Sequence, residues 1–223
     1  RFLNAGRQSK EHYEKLWRTI KEGREWHGEL CNISKSGEVF WESASIAPIH
    51  DASDNIINFV AVKEDITEKK KQQERIEHLA LYDALTNLPN RNLLIDHLRN
   101  SLYQADRNKT TAAVLYMDLN GFKPINDEYG HDYGDEVLKI VAGRLQEASR
   151  RSDITARIGG DEFVIVAKEI NDNNTVKILA ERVIAAVERP ISFNGISVQI
   201  GLSIGISLYP YNGSTIEELL RKA

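Results

Sequence analysis

The chain has 223 residues, of which 41% are hydrophobic and 28% charged, which is typical of a globular protein with one large or two ordinary domains. Its net charge of −4 argues against nucleic-acid binding through bulk positive charge. The single cysteine, Cys31, excludes an internal disulfide framework, fits a reducing cytoplasm and is expected to be buried.

No stretch approaches the roughly 18–20 consecutive apolar residues that a membrane-spanning helix needs. The sequence begins at Arg1 without a methionine, so we interpret it as a fragment. We therefore expect a cytoplasmic location, with a membrane anchor upstream of the fragment as the open alternative.

Residues 1–67 predict one helix followed by three strands. Apolar residues recur at helical spacing in residues 10–22, and Gly23 follows as a stop signal. The three strand-like runs are residues 26–33, 39–49 and 56–62, and they are separated by turn-rich segments. The aromatic residues Trp26, Phe40 and Trp41 are better explained by packing on a sheet than by a cofactor site.

Four short motifs carry a first resemblance: Trp-His-Gly-Glu-Leu at 26–30, Gly-Glu-Val-Phe-Trp at 37–41, Ala-Pro-Ile at 47–49 and Asp-Ile-Thr at 65–67. With this order of elements, residues 1–67 resemble the C-terminal part of a PAS sensor domain. The N-terminal half of such a domain, which would supply much of its pocket, is absent from this chain. The resemblance therefore implies a sensor without indicating its ligand.

Residues 68–81 are polar and helix-favouring, and we interpret them as a connecting helix. Ile76, Leu79 and Ala80 are its few apolar residues, which support only a short, weak coiled-coil seam. The lysines at 69–71 are most simply a solvated helix face.

The second unit, residues 82–223, alternates helices and strands. We predict helices at residues 90–105, 135–148 and 175–187, strands at 112–117 and 198–208, and a hairpin formed by 154–158 and 163–167. A last helix covers 214–220, with Ser214 and Glu217 spaced as a capping box. This order predicts an α+β fold, with an antiparallel-containing sheet and packed helices of ferredoxin-like type.

The hairpin carries the most informative local pattern, Arg157-Ile-Gly-Gly-Asp-Glu-Phe163. Glycines at 159 and 160 suit a tight turn and leave the backbone open to a ligand. Asp161 and Glu162 follow directly, and carboxylates beside a bare turn suit a metal-bound phosphate. Taken alone, the pattern is equally compatible with an ordinary solvated hairpin tip.

This heptapeptide and three other blocks resemble the GGDEF family of diguanylate cyclases. The other blocks are Asp-Ala-Leu-Thr-Asn-Leu-Pro-Asn-Arg at 83–91, Asp-Leu-Asn-Gly-Phe-Lys-Pro-Ile-Asn-Asp at 118–127 and Gly-His-Asp-Tyr-Gly-Asp at 130–135. The match runs from about Leu79 to the end of the chain. It implies a ferredoxin-like βααββαβ core of the nucleotide-cyclase type, with the C-terminal end of the domain missing.

A carboxylate at a strand end and another at a neighbouring hairpin tip can share a metal, which suggests Asp118 and Asp161. The resemblance implies that these two and the carbonyl of Leu119 hold two Mg²⁺ ions, or Mn²⁺, on the triphosphate of GTP. It makes Asp161 the candidate base, with Glu162 in support. It also implies a GTP-binding set composed of Phe122, Lys123, Asn126, Asp135, Gly159 and Gly160.

Within that set Lys123 supplies a point charge for phosphate, and Asn126 and Asp135 suit the hydrogen-bonding edge of guanine. The alternatives are ordinary, with Asn126 as a loop residue and Asp135 as a helix N-cap. The chain departs from the family in two ways. Asn120 stands where a second aspartate is common, and the chain stops before the Lys/Arg pair that the family places on the phosphates.

The resemblance implies a cyclase that condenses two GTP into the bacterial second messenger cyclic di-GMP and two pyrophosphates, under PAS control. Each domain holds one GTP, so a two-fold homodimer is required. The PAS–GGDEF combination also implies that the helix at 68–81 pairs with its copy in that dimer and transmits the state of the sensor. The alternative is a catalytically weak GGDEF module that binds GTP or cyclic di-GMP and regulates an attached domain, such as a phosphodiesterase. A signalling scaffold is a third possibility.

Shortly before the glycine turn lies Arg150-Arg-Ser-Asp153, at the position of an Arg-x-x-Asp product-inhibition site in many family members. Arg150 can pair with phosphate or guanine, and Asp153 can accept guanine N–H groups. The resemblance adds Arg182 as a secondary contact. The simpler alternative is a solvated turn after a helix.

Overall fold

The computed structural model describes residues 8–170 and 172–223, which divide into two compact units between residues 77 and 78. The first unit contains α1 (Lys10–Lys21), β1 (Trp26–Ile33), β2 (Val39–His50) and β3 (Ile56–Asp65). The strands form an antiparallel sheet in the order β1-β2-β3. The predicted helix and three strands are confirmed, although β3 extends three residues beyond its predicted end.

Helix α1 forms because its N-terminus is capped and one face is apolar. The Ser9 side chain accepts a hydrogen bond from the backbone N–H of His12 at 3.3 Å. Leu16 and Ile20, one turn apart, are buried in the core cluster that includes Trp26 of β1. Cys31 is buried as expected.

The helix that comes next, α2 (Thr67–Leu81), has no buried residue. The backbone N–H of Thr67 donates to Asp65 Oδ1 at 2.8 Å, and Thr67 Oγ1 accepts from the N–H of Trp41 at 2.9 Å, which fixes where the helix begins. Lys70 pairs with Glu29 at 2.6 Å and lies over the Trp41 ring, and Lys71 pairs with Glu68 at 2.9 Å, so two of the three lysines have specific contacts. The coiled-coil pairing of α2 stays a prediction.

The second unit is a sheet with helices on both faces. Its elements are α3 (Arg91–Asn108), β4 (Thr111–Asn120), α4 (Phe122–Tyr129), α5 (His131–Ala148), β5 (Ile154–Gly159), β6 (Glu162–Ile170), α6 (Asn173–Val187), β7 (Ile191–Phe193), β8 (Ile196–Val198), β9 (Gly201–Tyr209) and α7 (Ile216–Lys222). The sheet order is β5-β6-β4-β9 with antiparallel neighbours, and β7 and β8 form a separate hairpin. The predicted α+β, ferredoxin-like class is confirmed.

Three local predictions need correction. The predicted strand 198–208 is divided, because β8 ends at Val198 and β9 begins at Gly201. Helix α5 begins at His131, because Gly130, at φ 86°, separates it from α4, a helix that the sequence patterns did not delimit. The capping box of α7 uses Thr215 and Glu218, since the same spacing recurs one residue later.

Central strand β4 has an alternating pattern that assigns its side chains to the two faces of the sheet. Leu115, Met117 and Leu119 belong to the core cluster that contains α4, α5 and α6 side chains. Val114 belongs to the cluster with α3 and α7 side chains, and Tyr116 packs against it. Asp118 follows this alternation and therefore lies on the α3/α7 side of the sheet.

None of the helices within residues 8–170 and 172–223 combines the length and the apolar composition that crossing a membrane requires.

Replacing Leu98 by alanine should destabilise the second unit strongly, because Leu98 of α3 is fully buried against the sheet. We expect a loss of about 2–5 kcal/mol in the free energy of unfolding, measured by urea denaturation followed by circular dichroism. Tyr103 on the same helix is 71% exposed and provides the control. Tyr103→Ala should change the unfolding free energy by about 0.5 kcal/mol or less, and equal losses in both variants would contradict the assignment of the α3 core face.

Candidate active site

Three acidic residues, Asp118, Asp161 and Glu162, lie at the same end of strands β4 and β6. In the antiparallel pairing of β4 and β6, Asp118 lies directly opposite Glu162. Asp161 is the neighbouring residue in the turn between β5 and β6. Like charges directly opposite each other destabilise a sheet, so a nearby positive charge would stabilise this pairing.

Oxygen ligands of this kind suit Mg²⁺, which usually combines one or two carboxylates with waters and substrate phosphates. No group of three or more His, Cys, Asp or Glu side chains in residues 8–170 and 172–223 could by itself hold a metal ion. The carboxylates of Asp118 and Asp161 and the carbonyl of Leu119 are oxygen donors of the required type, and their role as metal ligands stays a prediction.

The glycine turn is open around its backbone. Gly160 has φ 54°, a left-handed conformation that favours glycine. No atom lies within 4 Å of where a Cβ would stand at Gly159 or Gly160, so the surface of the turn is free for a ligand. The backbone thus permits the close approach that the sequence predicted.

Arg157 stabilises the glycine turn through hydrogen bonds to its backbone. Its Nε and Nη2 donate to the carbonyl of Gly160 at 3.0 and 2.7 Å, and its Nη1 donates to Asp83 Oδ1 at 2.9 Å. The same Asp83 oxygen accepts from the N–H and hydroxyl of Thr86 at 2.8 and 2.6 Å. The backbone N–H of Arg157 donates to the carbonyl of Pro89 at 3.0 Å.

Arg157 and Asp83 were not predicted as site residues. Each lies in one of the four sequence blocks that resemble the family, Asp83 in the block at 83–91 and Arg157 in the block at 157–163. That these two blocks contact each other depends on the tertiary structure. Burial acts to raise the pKa of the Asp83 carboxyl, but hydrogen bonds from Thr86 and Arg157 outweigh it, and the pKa lies below its usual value.

The proposed guanine-binding residues lie on two consecutive helices. Asn126 is inside α4 and Asp135 inside α5, so the loop and N-cap alternatives are wrong. A Cβ at Gly134 would stand 1.8 Å from Asn126 Oδ1, so the absence of a side chain at Gly134 lets the Asn126 amide lie against α5. Asp135 is the next residue along that helix, and the role of both residues in binding guanine stays a prediction.

The first turn of α4 contains the other two predicted GTP contacts. The Phe122 side chain is 8% exposed and belongs to the core, so its backbone, rather than its ring, is available to a ligand. Lys123 is exposed. Gly121 precedes the helix without a side-chain cap, which leaves N–H groups of the first turn for an anion.

A cleft of about 600 Å³ adjoins the carboxylates on the α3/α7 side. Its lining includes Arg91, Tyr116, Glu162 and Arg221. Burial raises the pKa of the Tyr116 phenol, the Glu162 carboxylate raises it further, and Arg91 acts weakly against them. The phenol therefore stays protonated at neutral pH and is available as a hydrogen-bond donor.

The Arg-x-x-Asp turn forms a separate pocket with helix α6. Arg150, Asp153 and Arg182 line it together with Thr175 and Ile178. Asp153 Oδ2 accepts from the N–H of Arg150 at 3.0 Å, and the N–H of Asp153 donates to the carbonyl of Arg150 at 3.0 Å. The turn is thus held by its own hydrogen bonds, and both arginine side chains reach the same pocket.

Comparison with known proteins identifies the fold and the blocks around this site. A family model described as "Diguanylate cyclase, GGDEF domain" matches residues 80–223. The chain belongs to the GGDEF family. A PAS domain model matches residues 2–68, so the resemblance seen in the sequence is confirmed for both parts.

Two curated relatives and one solved structure show the range of the family. The chain is 44% identical over 159 residues to the bifunctional diguanylate cyclase/cyclic di-GMP phosphodiesterase MucR of Pseudomonas aeruginosa, a match that covers 70% of the chain and 23% of the relative. It is 35% identical over 176 residues to the cyclic di-GMP phosphodiesterase PdeR of Escherichia coli, covering 78% of the chain and 26% of the relative. The solved GGDEF domain of TpbB from P. aeruginosa superposes with a TM-score of 0.61 at 38% identity, covering 63% of the chain and 82% of that domain.

The GGDEF chain spans about a quarter of the length of these curated relatives, at 23% and 26%. Their names include a bifunctional enzyme and a phosphodiesterase. Family membership therefore supports a cyclic di-GMP-related role, and the specific activity depends on the residues of the site.

Asp83→Asn should lower the free energy of unfolding at neutral pH. In this variant the free energy of unfolding should also fall less steeply as the pH is lowered. A carboxyl with a lowered folded pKa stabilises the native state above its unfolded pKa of about 3.9, and this contribution is lost as the pH falls through the folded value. The free energy of unfolding, measured by urea denaturation from pH 7 to pH 3, checks this. The control is Asp96→Asn, which removes an exposed pair with Arg99 and should change stability little. A variant at position 83 that matches this control would contradict the role of the partly buried pair between Asp83 and Arg157.

Proposed function

We propose that this GGDEF chain is a diguanylate cyclase that joins two GTP molecules into cyclic di-GMP and releases two pyrophosphates. The observation that carries the proposal is the pairing of Asp118 with Glu162, directly beside Asp161 at the open glycine turn. Carboxylates forced together next to accessible backbone N–H groups suit a metal-bound triphosphate.

The metals in this proposal are two Mg²⁺ ions, for which Mn²⁺ could substitute. Asp118, Asp161 and the carbonyl of Leu119 would hold them. When bound, such a pair neutralises negative charge on the attacking and leaving oxygens of a phosphoryl transfer.

The protein's own groups bind and orient GTP. Asn126, which lies against Gly134 of α5, and Asp135, the next residue of that helix, would read the edge of the guanine. Lys123 and the free N–H groups at the start of α4 face the phosphates, and the turn at Gly159 and Gly160 admits them closely.

In the reaction, the ribose 3′-oxygen of each GTP attacks the α-phosphorus of the other, so that two such transfers close the ring and release two pyrophosphates. In each transfer the same changes occur. A new P–O bond forms, the bond to pyrophosphate breaks in line, and the hydroxyl proton passes to a base, for which Asp161 is the candidate. Glu162 supports the site. Positioning and charge neutralisation supply most of the rate enhancement in such transfers.

Each domain holds one GTP, so catalysis requires a homodimer with two-fold symmetry. In this proposal residues 1–67 sense a stimulus, the helix at 68–81 transmits it, and residues 82–223 catalyse. GTP as substrate also favours a cytoplasmic location.

The second candidate function is a regulatory GGDEF module that binds GTP or cyclic di-GMP and controls an attached domain. It is favoured by the similarity to PdeR, which is named a phosphodiesterase. The cyclase is preferred because the carboxylate positions needed for a metal are all present. Incubating the full-length protein with GTP and Mg²⁺ and identifying the products by chromatography separates the two.

Arg150, Asp153 and Arg182 are proposed as a product-inhibition site for cyclic di-GMP. The support is that two guanidinium groups and a carboxylate line one pocket, as recognition of phosphate and guanine requires. Binding there would hold the domains in an unproductive arrangement without occupying the GTP site.

Asp161→Ala should reduce the rate of cyclic di-GMP formation by at least about 100-fold, because an electrostatic group at the reacting phosphates is lost. Thermal unfolding should change little, since the residue lies in the turn. Asp96→Ala, at an exposed position on α3, is the control and should retain full activity. A wild-type rate in Asp161→Ala would refute the site assignment.

Arg150→Ala should raise the final yield of cyclic di-GMP at saturating GTP and leave the initial rate near that of the wild type. Progress curves of product formation measure both quantities. The neighbouring Arg151 does not line the α6 pocket, so Arg151→Ala is the matched control and should reach the wild-type plateau. Identical plateaus in all three proteins would exclude inhibition through this pocket.

A further inference from the structure

Tyr116 has a position beside the carboxylates that the GGDEF blocks do not explain. It precedes Asp118 by two residues on β4, so both side chains lie on the α3/α7 side of the sheet. Its direct partner on β6 is Val164, which makes Glu162 its diagonal neighbour. Diagonal neighbours on antiparallel strands are within reach of an aromatic side chain.

Tyr116 and Glu162 line the same cleft beside the active site. The rest of its lining is aliphatic or charged, from Ile95, Ile158, Ile216, Leu220, Arg91, Glu217 and Arg221. Of the two acidic residues in this lining, Glu162 is the one on the neighbouring strand, at the position diagonal to Tyr116. A half-buried hydroxyl gains from an ionised acceptor of this kind.

Orientation of Glu162 matters because Asp118 is directly opposite it. A free Glu162 side chain could turn toward the metal ligands or away into the cleft. A donor on the cleft side would hold its carboxylate at a fixed distance from Asp118 and leave Asp118 and Asp161 to face the nucleotide.

We propose that Tyr116 is a positioning residue of the active site, whose hydroxyl donates a hydrogen bond to the Glu162 carboxylate and fixes its orientation. This inference rests on the proposed cyclase function for its kinetic consequences only. The hydrogen bond itself can be tested without turnover.

The kinetic test is a double-mutant cycle in the full-length protein, with Tyr116→Phe, Glu162→Gln and the double variant. Tyr116→Phe should lower kcat about tenfold, as expected for loss of a hydrogen bond to a charged group. The KM for GTP should change less, because in this proposal Tyr116 acts through Glu162 and not on the nucleotide. In the Glu162→Gln background the same substitution should have an effect below about twofold, since the acceptor charge is already gone.

Tyr209→Phe is the matched control. Tyr209 is also half-buried against the α3/α7 core cluster, but it pairs with Ala112 at the far end of β4. It should leave kcat unchanged in both backgrounds. Independent, additive effects of Tyr116→Phe and Glu162→Gln would overturn the proposal, as would a stability loss in Tyr116→Phe without any change in kcat.

Crystal structures of the wild type and Tyr116→Phe give a readout that does not depend on activity. We expect the Tyr116 hydroxyl within hydrogen-bond distance of the Glu162 carboxylate in the wild type, and a changed Glu162 rotamer in the variant. A Glu162 side chain that keeps its position without the hydroxyl would refute the inference. If the wild type makes no cyclic di-GMP, the proposed function fails, while this structural test still decides the role of Tyr116.

Discussion

The register between β4 and β6 is the constraint on which the candidate active site depends. It places Asp118 opposite Glu162 and sends both side chains to the α3/α7 side of the sheet. A slip of one residue would move Asp118 to the other face and bury it among the α4–α6 side chains. The two buried faces of the sheet prevent that slip, because each is filled by its own apolar cluster. The core therefore secures an electrostatically unfavourable pair of charges that a metal-bound substrate would relieve.

A second constraint holds the turn that carries Asp161. The turn needs glycines to remain open, and open turns lack contacts of their own. Arg157 stabilises the turn, because two of its N–H groups donate to the Gly160 carbonyl and a third donates to Asp83. Asp83 lies just beyond the end of α2, so the same contact joins the active-site turn to the segment that leads out of the connecting helix.

The two polar surfaces of the second unit differ in how they are built. At the end of β4 and β6, Asp118 lies opposite Glu162, and Asp161 stands in the adjoining turn. In the α6 pocket, Arg150 and Arg182 provide positive charge beside the single carboxylate of Asp153. Under the proposed function, the first surface would hold a metal–triphosphate complex and the second a nucleotide without a metal.

The sequence determined the α+β class, the order of most elements and the family, because apolar periodicity and short motifs are local properties of the chain. It could not determine where blocks meet, since Asp83 and Arg157 are 74 residues apart and contact only in the folded sheet. It also misplaced the capping box of α7 by one residue, because two overlapping patterns had the same spacing and only the backbone hydrogen bonds distinguish Thr215 from Ser214. The role of Gly134 was likewise invisible: a missing side chain matters only because packing brings Asn126 onto that position. Short motifs and apolar spacing can be read from neighbouring residues of the chain. The strand register and helix packing that bring distant side chains together depend on the whole core.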